Sequence, residues 1–105
     1  MSQFTLHRNP NPSTRKDIPL LLDVQADLLE ALATRVVVPL YRPEAAGPGL
    51  MARLTPVVRF QERDWIAMIP ELAGVPRTAL GPAVGDLAGA RTDLLRALDL
   101  LLTGF

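Results

Sequence analysis

The sequence predicts a small, mostly β barrel or sandwich with a single helix packed against or beside it, and three observations carry that expectation. Short apolar segments with strand character fill the first two thirds of the chain, proline and glycine interrupt them at close intervals, and a three-to-four-residue leucine period takes over after Val84.

The first segment begins almost at the start. Phe4 and Leu6 alternate with polar Gln3, Thr5 and His7, the period of a half-buried strand. Asn9-Pro10-Asn11-Pro12-Ser13 breaks it, because each proline lacks an amide donor and holds its predecessor in extended geometry. The loop continues through Arg15, Lys16 and Asp17. Leu20, Leu21 and Leu22 form a second apolar segment, whereas Asp23 to Leu29 has neither a helical nor a strand period. The strongest strand signal is Arg35 to Leu40, where Val36, Val37 and Val38 are β-branched. Pro39 argues for an edge or a bulge.

Ala45 to Gly49 reads as a turn or loop. Pro56 to Phe60 and Trp65 to Ile69 then form the two strands of a hairpin around the charged turn Gln61 to Asp64. Gly74, Pro76 and Gly81 keep any elements between Pro70 and Pro82 short. Leu87, Arg91, Leu94, Leu98 and Leu101 lie on one face, widened by Leu95 and Leu102. They predict one C-terminal helix of about four turns, with Asp86 as a candidate N-cap and Gly104 placed to end it.

The chain has 105 residues, 49% of them hydrophobic, which suits one domain with one core. Eleven basic residues balance eleven acidic ones, so no broad cationic face is implied and duplex DNA is a poor candidate for a direct partner. Without cysteine there are no disulfides, thiolate metal sites or thiol chemistry. No signal-peptide pattern and no apolar run near the roughly 20 residues that cross a bilayer are present. The expectation is a soluble cytoplasmic protein with no membrane partner.

Candidate chemistry is sparse. His7 is the only histidine and lacks a sequence-adjacent carboxylate or second imidazole; metal sites normally need three or four ligands. Asp23 and Asp27 are four apart and could share a helix face as paired carboxylates, or be a turn carboxylate and a solvated one. The glycines form neither GxGxxG nor a phosphate loop. No catalytic residue, metal or cofactor is expected. Trp65 suits core packing. Leu100, Leu101 and Leu102 stand out, because successive helix positions differ by about 100 degrees and the three cannot all face one sheet. At least one must look elsewhere, a patch suited to a partner or to a second copy of the chain; Phe105 either joins it or folds back into a surface hollow.

Taken in order, Gln3-Phe4, Asp23-Val24-Gln25-Ala26-Asp27-Leu28-Leu29, Thr34-Arg35-Val36-Val37-Val38-Pro39-Leu40, Pro56-Val57-Val58, Trp65, Val75-Pro76, Val84-Gly85-Asp86-Leu87 and Gly104-Phe105 resemble the CcdB family of bacterial toxins over essentially the whole chain. The resemblance implies a fold related to the SH3-like barrel, a single toxin domain over residues 1–105, and a homodimer with its chain ends near the twofold axis. It implies a non-enzymatic toxin that enters the cavity between the arms of the DNA gyrase A protein and traps gyrase on cleaved DNA. A CcdA-like antitoxin with a disordered tail would wrap it, and DNA would be met only through the toxin–antitoxin complex at its own promoter. Residues carried over as gyrase contacts are Leu28, Leu29, Asp99, Leu102, Thr103, Gly104 and Phe105. Two features depart from the best-known branch. Thr103 stands where that branch has a tryptophan, so aromatic stacking and cation–π attraction to gyrase are lost there; and the Asn9–Asp17 loop is prolonged, which bears on antitoxin recognition. Alternatives are a non-lethal antitoxin-binding regulator, or a ribonuclease toxin of similar barrel, for which a lone histidine and neutral charge provide poor acid–base machinery.

Overall fold

A computed structural model of the chain describes residues 2–104. Seven strands form one antiparallel sheet: β1 (Thr5–Arg8), β2 (Leu20–Asp23), β3 (Thr34–Tyr41), β4 (Val57–Phe60), β5 (Arg63–Ala67), β6 (Ala73–Pro76) and β7 (Ala83–Asp86). Their order is β4-β5-β3-β2-β1-β7, with β6 also on β3. The sheet curls into a half-barrel, and one helix, α1 (Arg91–Thr103), follows it.

The long strand β3 organises this arrangement. One edge pairs with β2 from Leu20↔Leu40 to Asp23↔Val37. The other is shared, β6 taking Thr34 to Val37 and β5 taking Leu40 and Tyr41. Pro39 is therefore central and lies at the seam between two partner strands, not on an edge. Its carbonyl accepts from Met68 N–H at 3.1 Å; its missing N–H faces the same side, where no continuous ladder needs it.

The hairpin is tighter than the sequence suggests. Arg63 and Asp64 belong to β5, and Gln61 and Glu62 alone make the turn, with φ of 52° and 63°. Two positive φ values in a two-residue loop define the turn whose twist matches paired strands. Strand β6 falls in the punctuated stretch between Pro70 and Pro82, whereas β7, also of four residues, lies where the sequence predicts no strand. Gly85 in β7 admits the Phe60 ring, since a Cβ there would lie 2.5 Å from a ring carbon.

Phe4 does not belong to β1. It adopts φ 68°, sends its ring into the core, and is covered by the Arg91 guanidinium 5.8 Å from the ring centroid. His7, expected on a polar face, is buried, because the 80–82 segment covers the outer side of β1. Gly81 N donates to Arg8 O, Arg8 N donates to Pro82 O, and His7 Nδ1 lies 3.1 Å from Gly81 O. Phe4, Leu6, Leu22, Val38, Leu40, Trp65, Ile69, Leu94 and Ala97 are central members of the core. Trp65 has the expected packing role and donates Nε1–H to Phe60 O.

Helix α1 starts later than the sequence period suggests. Asp86 is not its N-cap: it ends β7 and accepts from Ala88 N at 2.9 Å, while Leu87 precedes a short 3-10 turn, Ala88–Ala90, and Ala90 stands at the N-cap of α1. Asp93 instead supplies negative charge to the first turn. Gly104 ends the helix at φ 81°, its N–H donating to Leu100 O.

Candidate functional site

The residues expected to contact gyrase fall at two places. Asp27–Leu29 forms a one-turn 3-10 helix after β2, and none of its residues is buried. Gln3 ties this turn to the start of α1: its backbone N–H donates to Asp27 Oδ1, its side chain donates to Val24 O, and its Oε1 accepts from Arg91. Arg91 and Thr103 are separated along α1 by about 18 Å at the usual helical rise. Leu28 and Leu29 thus lie by one end of the helix, while Asp99, Leu102, Thr103 and Gly104 lie at the other. Phe105 lies outside the described residues.

Leu28 is 97% exposed and Leu102 73%, the two highest values among the exposed large hydrophobic residues. Of the three consecutive leucines only Leu101 packs against the core; Leu100 is half-buried away from it and Leu102 is the one left bare. Leu29 is about half exposed. Thr103 turns its hydroxyl back to Asp99 O at 2.6 Å, a bond within the helix.

Asp99 also lines a groove of about 700 Å³ between the outer side of α1 and the segment leading into β4. Asp93, Arg96 and Leu100 line the helix side; Arg53, Pro56 and Val57 face them. The helical spacing of the first set is legible in the sequence. The opposite wall is not, because tertiary folding alone brings it there.

Of the two readings of Asp23 and Asp27, the paired carboxylates on one helix face do not occur. Asp23 ends β2 and is fully buried in an ion pair with Arg35, Nη2 to Oδ2 2.7 Å, whereas Asp27 opens the exposed turn and receives Gln3 N–H. Among the described residues no group of three or more His, Cys, Asp or Glu could hold a metal ion. None of their helices is long and apolar enough to cross a membrane.

The curled sheet with its one terminal helix leaves Leu28 and Leu102 as its barest large apolar side chains, surface that a protein partner could cover. A family model described as CcdB protein matches residues 3–104, and the chain belongs to that family. It is a toxin of a toxin–antitoxin system that binds the DNA gyrase A protein and traps the cleavage complex. Members act by protein–protein contact without catalysis, form homodimers and bind a CcdA-like antitoxin, with autoregulation of the shared promoter.

Proposed function

We propose that gyrase is gripped by Leu28 and Leu29 in the turn after β2 and by Asp99, Leu102, Thr103, Gly104 and Phe105 at the end of α1, within one toxin domain over residues 1–105 of a cytoplasmic protein. The observation that carries this reading is the exposure of Leu28 and Leu102. Leucine side chains left in water gain about 1.5–3 kcal/mol each on full burial, and these two have the most to gain.

In a symmetric dimer each element occurs twice, so two turns and two helix ends meet the twofold-related arms of gyrase A. Thr103 supplies neither stacking nor a strong cation–π contact, and its hydroxyl proton is already committed to Asp99 O. Apolar burial of the leucines therefore carries a larger share of the grip. The single-domain reading is supported by the one sheet that includes every strand.

Hydrogen exchange on the toxin dimer, with and without the gyrase A arm fragment, tests the assignment. Amides from Asp27 to Glu30 and from Thr103 to Phe105 should slow on complex formation. Protection confined to the β4–β5 turn, with both of these segments unchanged, would refute it.

A further inference from the structure

The Asp27–Leu29 turn presents the most exposed leucine of the described chain, yet it has no buried residue of its own. Its conformation must come from polar anchors. The principal one is Gln25, which is 7% exposed. Its Nε2 donates to Leu29 O at 3.0 Å, closing the turn from within, and its Oε1 accepts from Val36 N at 3.0 Å, which fixes it to β3.

Gln25 is held in turn from behind. Its own N–H donates to Asp23 Oδ1 at 3.0 Å, while Asp23 Oδ2 accepts from Arg35 Nε at 2.8 Å. Both charged side chains are 0% exposed. A buried ion pair is weak evidence of stabilisation, since well-packed apolar replacements often do as well or better, and its clearest use is to fix one arrangement among several. Here the pair leads through Gln25 to the carbonyl of Leu29.

We propose that Gln25, locked by the Asp23–Arg35 pair, is a positioning residue that sets the Leu28–Leu29 turn for the gyrase contact. The inference rests on the gyrase assignment of Leu28 given above. Gln25 touches no part of gyrase in this scheme; it acts by restricting the turn to one conformation, so that ordering is not a cost of binding.

A double-mutant cycle on the full-length dimer tests it, with calorimetric titration against the gyrase A arm fragment and thermal melts of each variant. Gln25→Leu keeps the approximate size of the side chain and removes both of its hydrogen bonds; Gln25→Met is the second variant. Either should weaken gyrase binding about tenfold. The readout specific to positioning is the coupling: with Leu28→Ala and Leu29→Ala already present, the Gln25 substitution should change the affinity less than about twofold. Equal weakening with and without the two leucines overturns the positioning role while leaving the Leu28 contact intact. Leu28→Ala without effect on affinity overturns the contact and this inference together. Loss of a cooperative melt in both Gln25 variants also overturns it, because the network would then hold the fold as a whole.

Discussion

Replacing Leu28 with alanine separates the surface that binds from the core that folds. The side chain is 97% exposed, so its removal takes nothing from the interior, and the folding stability should change by less than about 0.5 kcal/mol. Leu→Ala deletes three carbons, and at about 0.8 kcal/mol per buried CH₂ the loss at a fully closed interface approaches about 2.4 kcal/mol. Incomplete closure lowers this to about 2 kcal/mol, roughly a thirtyfold rise in Kd for the gyrase A arm fragment. Leu22→Ala is the contrasting variant: Leu22 is 0% exposed in the core, and emptying its site should cost about 2–5 kcal/mol of stability. Calorimetric titration and melting at one fixed protein concentration read both quantities, the fixed concentration being needed because a dimer's melt depends on it. A Leu28→Ala dimer with wild-type melting and an affinity within twofold of wild type refutes the reasoning that the exposed leucine is a binding group.

Two further outcomes follow from the local geometry. Gln61 and Glu62 both sit at positive φ, so Gln61→Asn with Glu62→Gly should stabilise the chain by about 1 kcal/mol and raise Tm by about 4–8 °C; an unchanged or lower Tm contradicts the turn assignment. Tyr41, the only tyrosine, donates its hydroxyl to Glu71 Oε1 at 2.5 Å, and that bond, with burial and the negative charge of Glu71, pushes its pKa from 10.0 up to about 12. The associated stability is whole below pH 10 and is lost as the pH rises from there through about 12, because the unfolded phenol ionises first. Ultraviolet titration of the phenolate should place the midpoint near 12, and Glu71→Gln should lower it; a wild-type midpoint near 10 sinks the assignment.

The elements with a strong local signal are legible in the sequence: the β-branched run of β3, the leucines of β2, the hairpin around Gln61 and Glu62, and the terminal helix with its glycine stop. What escapes is set by partners distant in the chain. Ala73–Pro76 and Ala83–Asp86 have little strand character of their own and become strands because β3 and β1 offer them unpaired edges. The same cause hides the burial of His7, which depends on a segment arriving more than seventy residues later. Asp23 can be weighed against Asp27 four residues on, but its true partner Arg35 is reached across the β2–β3 register.

The candidate site divides in a similar way. Three consecutive leucines already require at least one to face away from the sheet; in the fold Leu100 lines the groove beside α1 and Leu102 is the one left bare. Leu28 and Leu29 have no such signal, since their segment lacks a period; family resemblance alone points to them. The polar scaffold behind that turn draws on Gln3, Val24, Val36 and Arg35, residues joined by folding and by no sequence spacing.

Removing Thr103, Gly104 and Phe105 tests the central claim most directly. Thr103 and Gly104 are exposed and contribute to no strand, so the truncated protein should fold, dimerise and bind its antitoxin with a Tm within a few degrees of wild type. The measurement is plasmid cleavage by purified gyrase across a concentration series of toxin. The full chain should accumulate linear DNA attached to gyrase, and the truncated one should not, even at roughly thirtyfold higher concentration. Trapping of cleaved DNA by the truncated protein at wild-type concentrations would contradict the account.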